Sequence, residues 1–98
     1  VVTMDTVWVF LGEGASLPAG FFADEASARR WIRGHGLTGL LTEYPVGLGL
    51  YDYAIERGTF RPKSPSHREP WFIGRFNSAH VNHYHFEDGS EPGDDSGS

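Results

Sequence analysis

The chain contains no cysteine. Disulfides and thiolate metal sites are thereby excluded, and nothing points to an oxidising compartment. No apolar run comes near the roughly 18 residues that a membrane span requires. The N-terminal stretch also lacks the basic region and long apolar segment of a secretory signal. The expectation is a cytoplasmic protein without membrane contact. A basic excess is missing too, since the formal charge is −5. Four of the thirteen acids (Asp88, Glu91, Asp94, Asp95) fall in residues 88–98, which hold no base; the rest of the chain is nearly neutral. Nucleic-acid binding normally needs a basic footprint, so it is not expected. No internal repeat is visible and there is no GxSxG elbow. Gly12 and Gly14 faintly suggest a phosphate loop, but a third glycine, a Lys-Ser/Thr pair and an immediate helix are all lacking.

What is present centres on residues 37–58, LTGLLTEYPVGLGLYDYAIERG, the densest run of apolar and aromatic side chains. Residues 38–44 alternate as a strand, with Leu40, Thr42 and Tyr44 on one face and Leu41 and Glu43 on the other. Pro45 ends the strand and Gly47 and Gly49 loosen the connection. Over about residues 50–57 the period becomes helical, with Leu50, Tyr53, Ala54 and Arg57 on one stripe. Gly58 stands where a left-handed cap belongs. A helix this short depends on packing.

Residues 6–11 (TVWVFL) are apolar on both faces and predict a central first strand. A turn-rich loop leads to a short second strand at Phe21 and Phe22. Asp24 is suited to cap a helix over about 25–34, with Ala28, Trp31, Ile32 and His35 inward and Arg29, Arg30 and Arg33 outward. Glu25 and Arg29 form an i, i+4 pair. Residues 59–69 are basic and proline-bearing, hence a surface loop. Glu69 and Pro70 open a short helix carrying Phe72, Ile73 and Phe76, with a strand as the alternative for WFIGRF. Residues 80–87 alternate as the last strand. The stretch 88–98 has no apolar residue and is expected to be a disordered acidic tail.

Two constellations could carry function. Arg57, Arg61, Lys63 and Arg68 concentrate positive charge, and with Tyr51 or Trp71 as aromatic anchors they suit a protein partner. The plainer reading is a solvated connection. His80, His83 and His85 form a histidine cluster in which His83, His85 and Glu87 share one strand face, a spacing that suits a divalent metal, with His35 or His67 approaching from elsewhere. Here the plainer reading is a solvated strand face, with no cofactor. An acid–base enzyme pairing a histidine with Asp52, Glu43 or Glu13 needs geometry that sequence does not show. No motif fixes a chemistry.

VWVFxGEG, a GxF before a helix containing WI, LTGLLTEYPVGxGxYDxAIExGxF, FIGRFxSA and HYHFEDG occur along the chain. Taken together, these stretches resemble a family of small uncharacterised bacterial domains. The resemblance spans residues 6–89 and implies a self-contained domain; it transfers no catalytic residue. The acidic tail and histidine-rich last strand depart from it.

The expected architecture is one α+β domain in the order ββαβααβ, with a mainly antiparallel sheet of about four strands and two to three short helices. Residues 1–5 form an extension, 6–87 the domain and 88–98 the tail. The expected core is Trp8, Phe10, Phe22, Trp31, Ile32, Leu40, Tyr44, Ile55, Phe72, Ile73 and Phe76. The leading reading is a cytoplasmic protein-binding module, immunity-like or regulatory. The rivals are a metal-binding protein or enzyme, and a homodimer formed through an open sheet edge.

Overall fold

The computed structural model describes residues 5–77 and 81–92. Strands β1 (Thr6–Gly12) and β2 (Gly20–Phe22) are followed by helix α1 (Glu25–His35) and strand β3 (Gly39–Pro45). Helix α2 (Leu50–Glu56), a 3₁₀ turn (Pro65–Arg68), helix α3 (Pro70–Arg75) and strand β4 (His83–Phe86) follow. The strands form one antiparallel sheet in the order β2-β1-β3-β4. This is the α+β fold and element order expected, with residues 70–75 helical.

The register decides what is buried. Phe10 pairs with Leu41, Leu41 with Tyr84, and Trp8 with Phe22 and Glu43. Alternation therefore puts Trp8, Phe10, Phe22, Leu41, Tyr84 and Phe86 on one face. Helix α1 covers that face with Ala28 and Ile32, and Phe10, Leu41, Ala28 and Ile32 are almost fully enclosed. Trp31 meets Phe10 edge-on at 5.8 Å and leans on Phe22 at 5.3 Å, while Trp8 stacks on Tyr84 at 6.1 Å.

Several expected core positions are corrected by this register. Leu41 is the buried leucine of β3, because it lies across from Phe10 beneath α1; Leu40 and Tyr44 are half-buried on the opposite face. Ile55 and Ile73 are exposed, at 38% and 39%, and Phe72 and Phe76 are half-buried in a separate cluster around α2 and α3. His35 is exposed at the last position of α1.

Local chemistry bounds α1 as its sequence implies. Asp24 accepts a hydrogen bond from the Ser27 amide at 2.7 Å, and Gly36 closes the helix at φ 62°. That amide, then the Ser27 side chain, holds the Asp24 carboxyl below its ordinary pKa. Arg29 does not face outward. Its guanidinium lies over Tyr84 at 4.7 Å and Phe86 at 5.2 Å, and pairs with Glu25 at 2.6 Å and Glu91 at 2.8 Å. Burial opposes its charge, but the two carboxylates outweigh burial and its pKa is raised.

The Glu91 contact shows that the stretch expected to be tail from Asp88 is anchored at its start. The Gly89 amide donates to the Leu37 carbonyl at 2.8 Å, and the Asp88 amide donates to Thr38 Oγ1 at 3.0 Å. Gly89 is buried at φ 89°, where a Cβ would press on the Cα atoms of Gly36 and Arg33 at 3.2 and 3.3 Å. Of the expected extension over 1–5 and tail over 88–98, residues 1–4 and 93–98 lie outside the described residues.

Leu41→Ala is expected to lower unfolding free energy by about 2–5 kcal/mol, and Leu40→Ala by clearly less, in urea denaturation. Equal losses would reject the assignment of faces. Because the Asp24 pKa is depressed on folding, its contribution is complete above the unfolded value of about 3.9 and is lost as pH falls through the folded value. Asp24→Asn keeps a capping oxygen without the charge. It should therefore weaken the fall in stability below about pH 4; an unchanged acid limb would contradict the cap's role.

Candidate functional site

Two surfaces bring the candidate residues together. The first is built on an aromatic cluster outside the sheet core. Phe60 lies 4.9 Å from Phe76 and 5.8 Å from Phe72, and Tyr51 meets Phe60, Phe72 and Phe76 at 5.7–6.4 Å. Aromatic side chains spaced along α2, the following loop and α3 thus pack mostly against each other.

His67 joins this cluster, stacked on Phe72 at 4.7 Å and tilted against Phe60 at 5.6 Å. The Lys63 amide donates to His67 Nδ1 at 3.0 Å. The neutral ring therefore carries its proton on Nε2. This bond closes the loop at Lys63 onto the cluster, so Arg61, Lys63 and Arg68 are displayed from an anchored segment. All three are exposed, as is Arg57, whose guanidinium lies 5.2 Å from the Tyr53 ring.

Trp71 is 57% exposed and rests edge-on against Phe72 at 5.8 Å. Tyr51 is half-buried and serves packing more than display. Sequence reasoning passed over two residues here. Arg75, on the last turn of α3, adds a fifth exposed cation. His67 organises the loop, and its only sequence signal is the i, i+4 spacing from Lys63. Among the described residues, the ion pairs are those of Arg29 with Glu25 and Glu91; none involves Arg57, Arg61, Lys63, Arg68 or Arg75.

The second surface is the sheet face turned away from α1. A shallow hollow of about 370 Å³ is lined by Leu40, Thr42, Tyr44, Val81, His83 and His85, with Asn77 at its edge. Asn77 Nδ2 donates to the Tyr44 hydroxyl at 3.4 Å. An adjoining hollow of about 440 Å³ shares Leu40 and His85 and is bordered by Glu13 and Glu87. His83 Nδ1 lies 2.9 Å from the Val81 carbonyl, which can only accept, so Nδ1 donates and, in the neutral ring, Nε2 carries the lone pair. The His83 and His85 rings stand edge to face with centres 5.8 Å apart.

The remaining candidates do not join this pair. His35 ends the helix on the other side of the sheet, against Trp31 at 5.7 Å. His67 is committed to the aromatic cluster, and His80 lies outside the described residues. Glu43, an acid considered for acid–base chemistry, points to the α1 side. It accepts from Thr6 Oγ1 at 2.5 Å and from Asn82 Nδ2 at 2.9 Å. Among the described residues, no three His, Asp or Glu side chains converge as a metal-holding group.

No helix among the described residues is long and apolar enough to cross a membrane. No curated protein and no solved structure matches the chain. A family model described as a domain of unknown function, DUF7710, matches residues 7–92, which include every described strand and helix but the first residue of β1. The chain belongs to this family of small domains of unknown function.

Proposed function

We propose that this is a protein-binding domain, regulatory or toxin-neutralising, acting in a bacterial cytoplasm. The observation that carries the reading is Trp71, exposed on a segment whose five cations have no ion pair among the described residues. Tryptophan and arginine are the residues that most often dominate binding energy when a partner desolvates them. Nothing in the core calls for these side chains to be there. Phe60, Phe72, Phe76 and His67 supply the packing, and Trp71 stands on top of it.

Five of the eight Lys and Arg fall in residues 57–75, on a chain that is acidic as a whole. Such a local reversal of sign suits an acidic protein surface. It also disfavours a nucleic acid, whose phosphates would meet the acidic remainder. The absence of cysteine and the resemblance to small bacterial domains support the proposed compartment.

The test is capture of partners from the source cell on immobilised protein, comparing the parent with Arg61→Glu/Lys63→Glu/Arg68→Glu and with Trp71→Ala. The triple variant should lose a stoichiometric protein partner, and Trp71→Ala should weaken it by about 2 kcal/mol, roughly 30-fold. Melting temperatures should stay near the parent value, since these side chains are exposed. Undiminished capture by both variants would reject this surface.

A further inference from the structure

We propose that His83 and His85 form a solvent-open, two-imidazole site for a late first-row divalent metal, of which zinc is the practical probe. Four observations point there, none of them involving the basic surface. Both rings are exposed on one face of β4 with centres 5.8 Å apart. Two imidazoles sharing one zinc, each with nitrogen about 2.0–2.1 Å from the metal, need ring centres on the order of 5 Å apart. Small side-chain rotations close that difference.

The second observation is orientation. The hydrogen bond from His83 Nδ1–H to the Val81 carbonyl fixes the tautomer and leaves Nε2 as a lone-pair donor. Metal-binding histidines commonly use this arrangement: the far nitrogen holds a carbonyl, and the near one holds the metal. Val81 is itself buried, so the carbonyl that steers the ring is carried on a fixed residue.

The third is electrostatic. Among the described residues, the two joined hollows are lined by no lysine or arginine, whereas Glu13 and Glu87 border the one that shares His85. The local field therefore favours a cation over an anion. The fourth is ligand type. Paired imidazoles suit zinc, copper and nickel, and not the oxygen-seeking magnesium or calcium. Two protein ligands leave the other positions to water, with Glu87 among the residues that line the same hollow as His85. The site thus has the open coordination of a sensor or a Lewis-acid centre, not the closed set of a structural one.

The experiment is titration of the full chain with zinc chloride at neutral pH, following the imidazole ring protons by NMR. The ring signals of His83 and His85 should shift together and saturate at one zinc per chain, while those of His35 and His67 stay in place. His83→Ala and His85→Ala should each weaken zinc binding roughly tenfold or more, as even the loss of a supporting residue does at metal sites. Both side chains are exposed, so each variant should keep the dispersed amide spectrum of the parent. No shift on adding zinc, shifts spread equally over all histidines, or parental affinity in either variant would overturn the proposal.

Discussion

Everything in this domain depends on one helix covering one face of a four-stranded sheet. Ala28 and Ile32 of α1 lie over Phe10, Leu41 and Phe86, and these side chains form the continuous core together with Trp8. The small Ala28 allows close approach, and the ring system of Trp31, Phe10 and Phe22 fills the side toward β2. At the other edge Arg29 completes the cover: its charge lies on Tyr84 and Phe86 while Glu25 and Glu91 hold it. A cation there does the work of an apolar side chain, because its flat guanidinium can stack on rings and keep both carboxylate partners. The same residue pins the segment after β4 to the body.

The sheet's other face follows from this commitment. Among the described residues α1 is the one long helix, so the side bearing Leu40, Tyr44, His83 and His85 has no equivalent cover there, and its hollows are the consequence. Likewise α2, the 3₁₀ turn and α3 cannot share the main core and make their own, from Tyr51, Phe60, His67, Phe72 and Phe76. The two candidate surfaces thus have one origin. One is sheet left bare by α1, and the other is the aromatic cluster with the cations displayed around it.

The strands, the α1 caps and the central place of β1 were legible in the sequence because alternation, Asp24 and glycine placement are local signals. The buried face of β3 was not. Leu40 and Leu41 are equally apolar, and only pairing of Leu41 with Phe10 decides between them. Arg29 was hidden among three arginines, since its acceptor Glu91 lies 62 residues away. The aromatics of residues 51–76 read as core by type. Their separation from the sheet core is a matter of long-range packing that no local pattern encodes. For the candidate sites, the residue types and spacing of His83 and His85 were visible, as were the cations at 57, 61, 63 and 68. The role of His67 and the steering of His83 by Val81 depend on three-dimensional placement that no local pattern encodes.

The central claim is that two hydrophobic units of unequal strength share one chain. Native-state hydrogen exchange measures this most directly. Amides of α1 and of paired positions in β1 and β3 should exchange together and most slowly, at the level of global unfolding. Amides of α2 and α3 should exchange through a smaller opening, faster and as their own group. Uniform protection across residues 6–76 would show a single cooperative core and contradict the account.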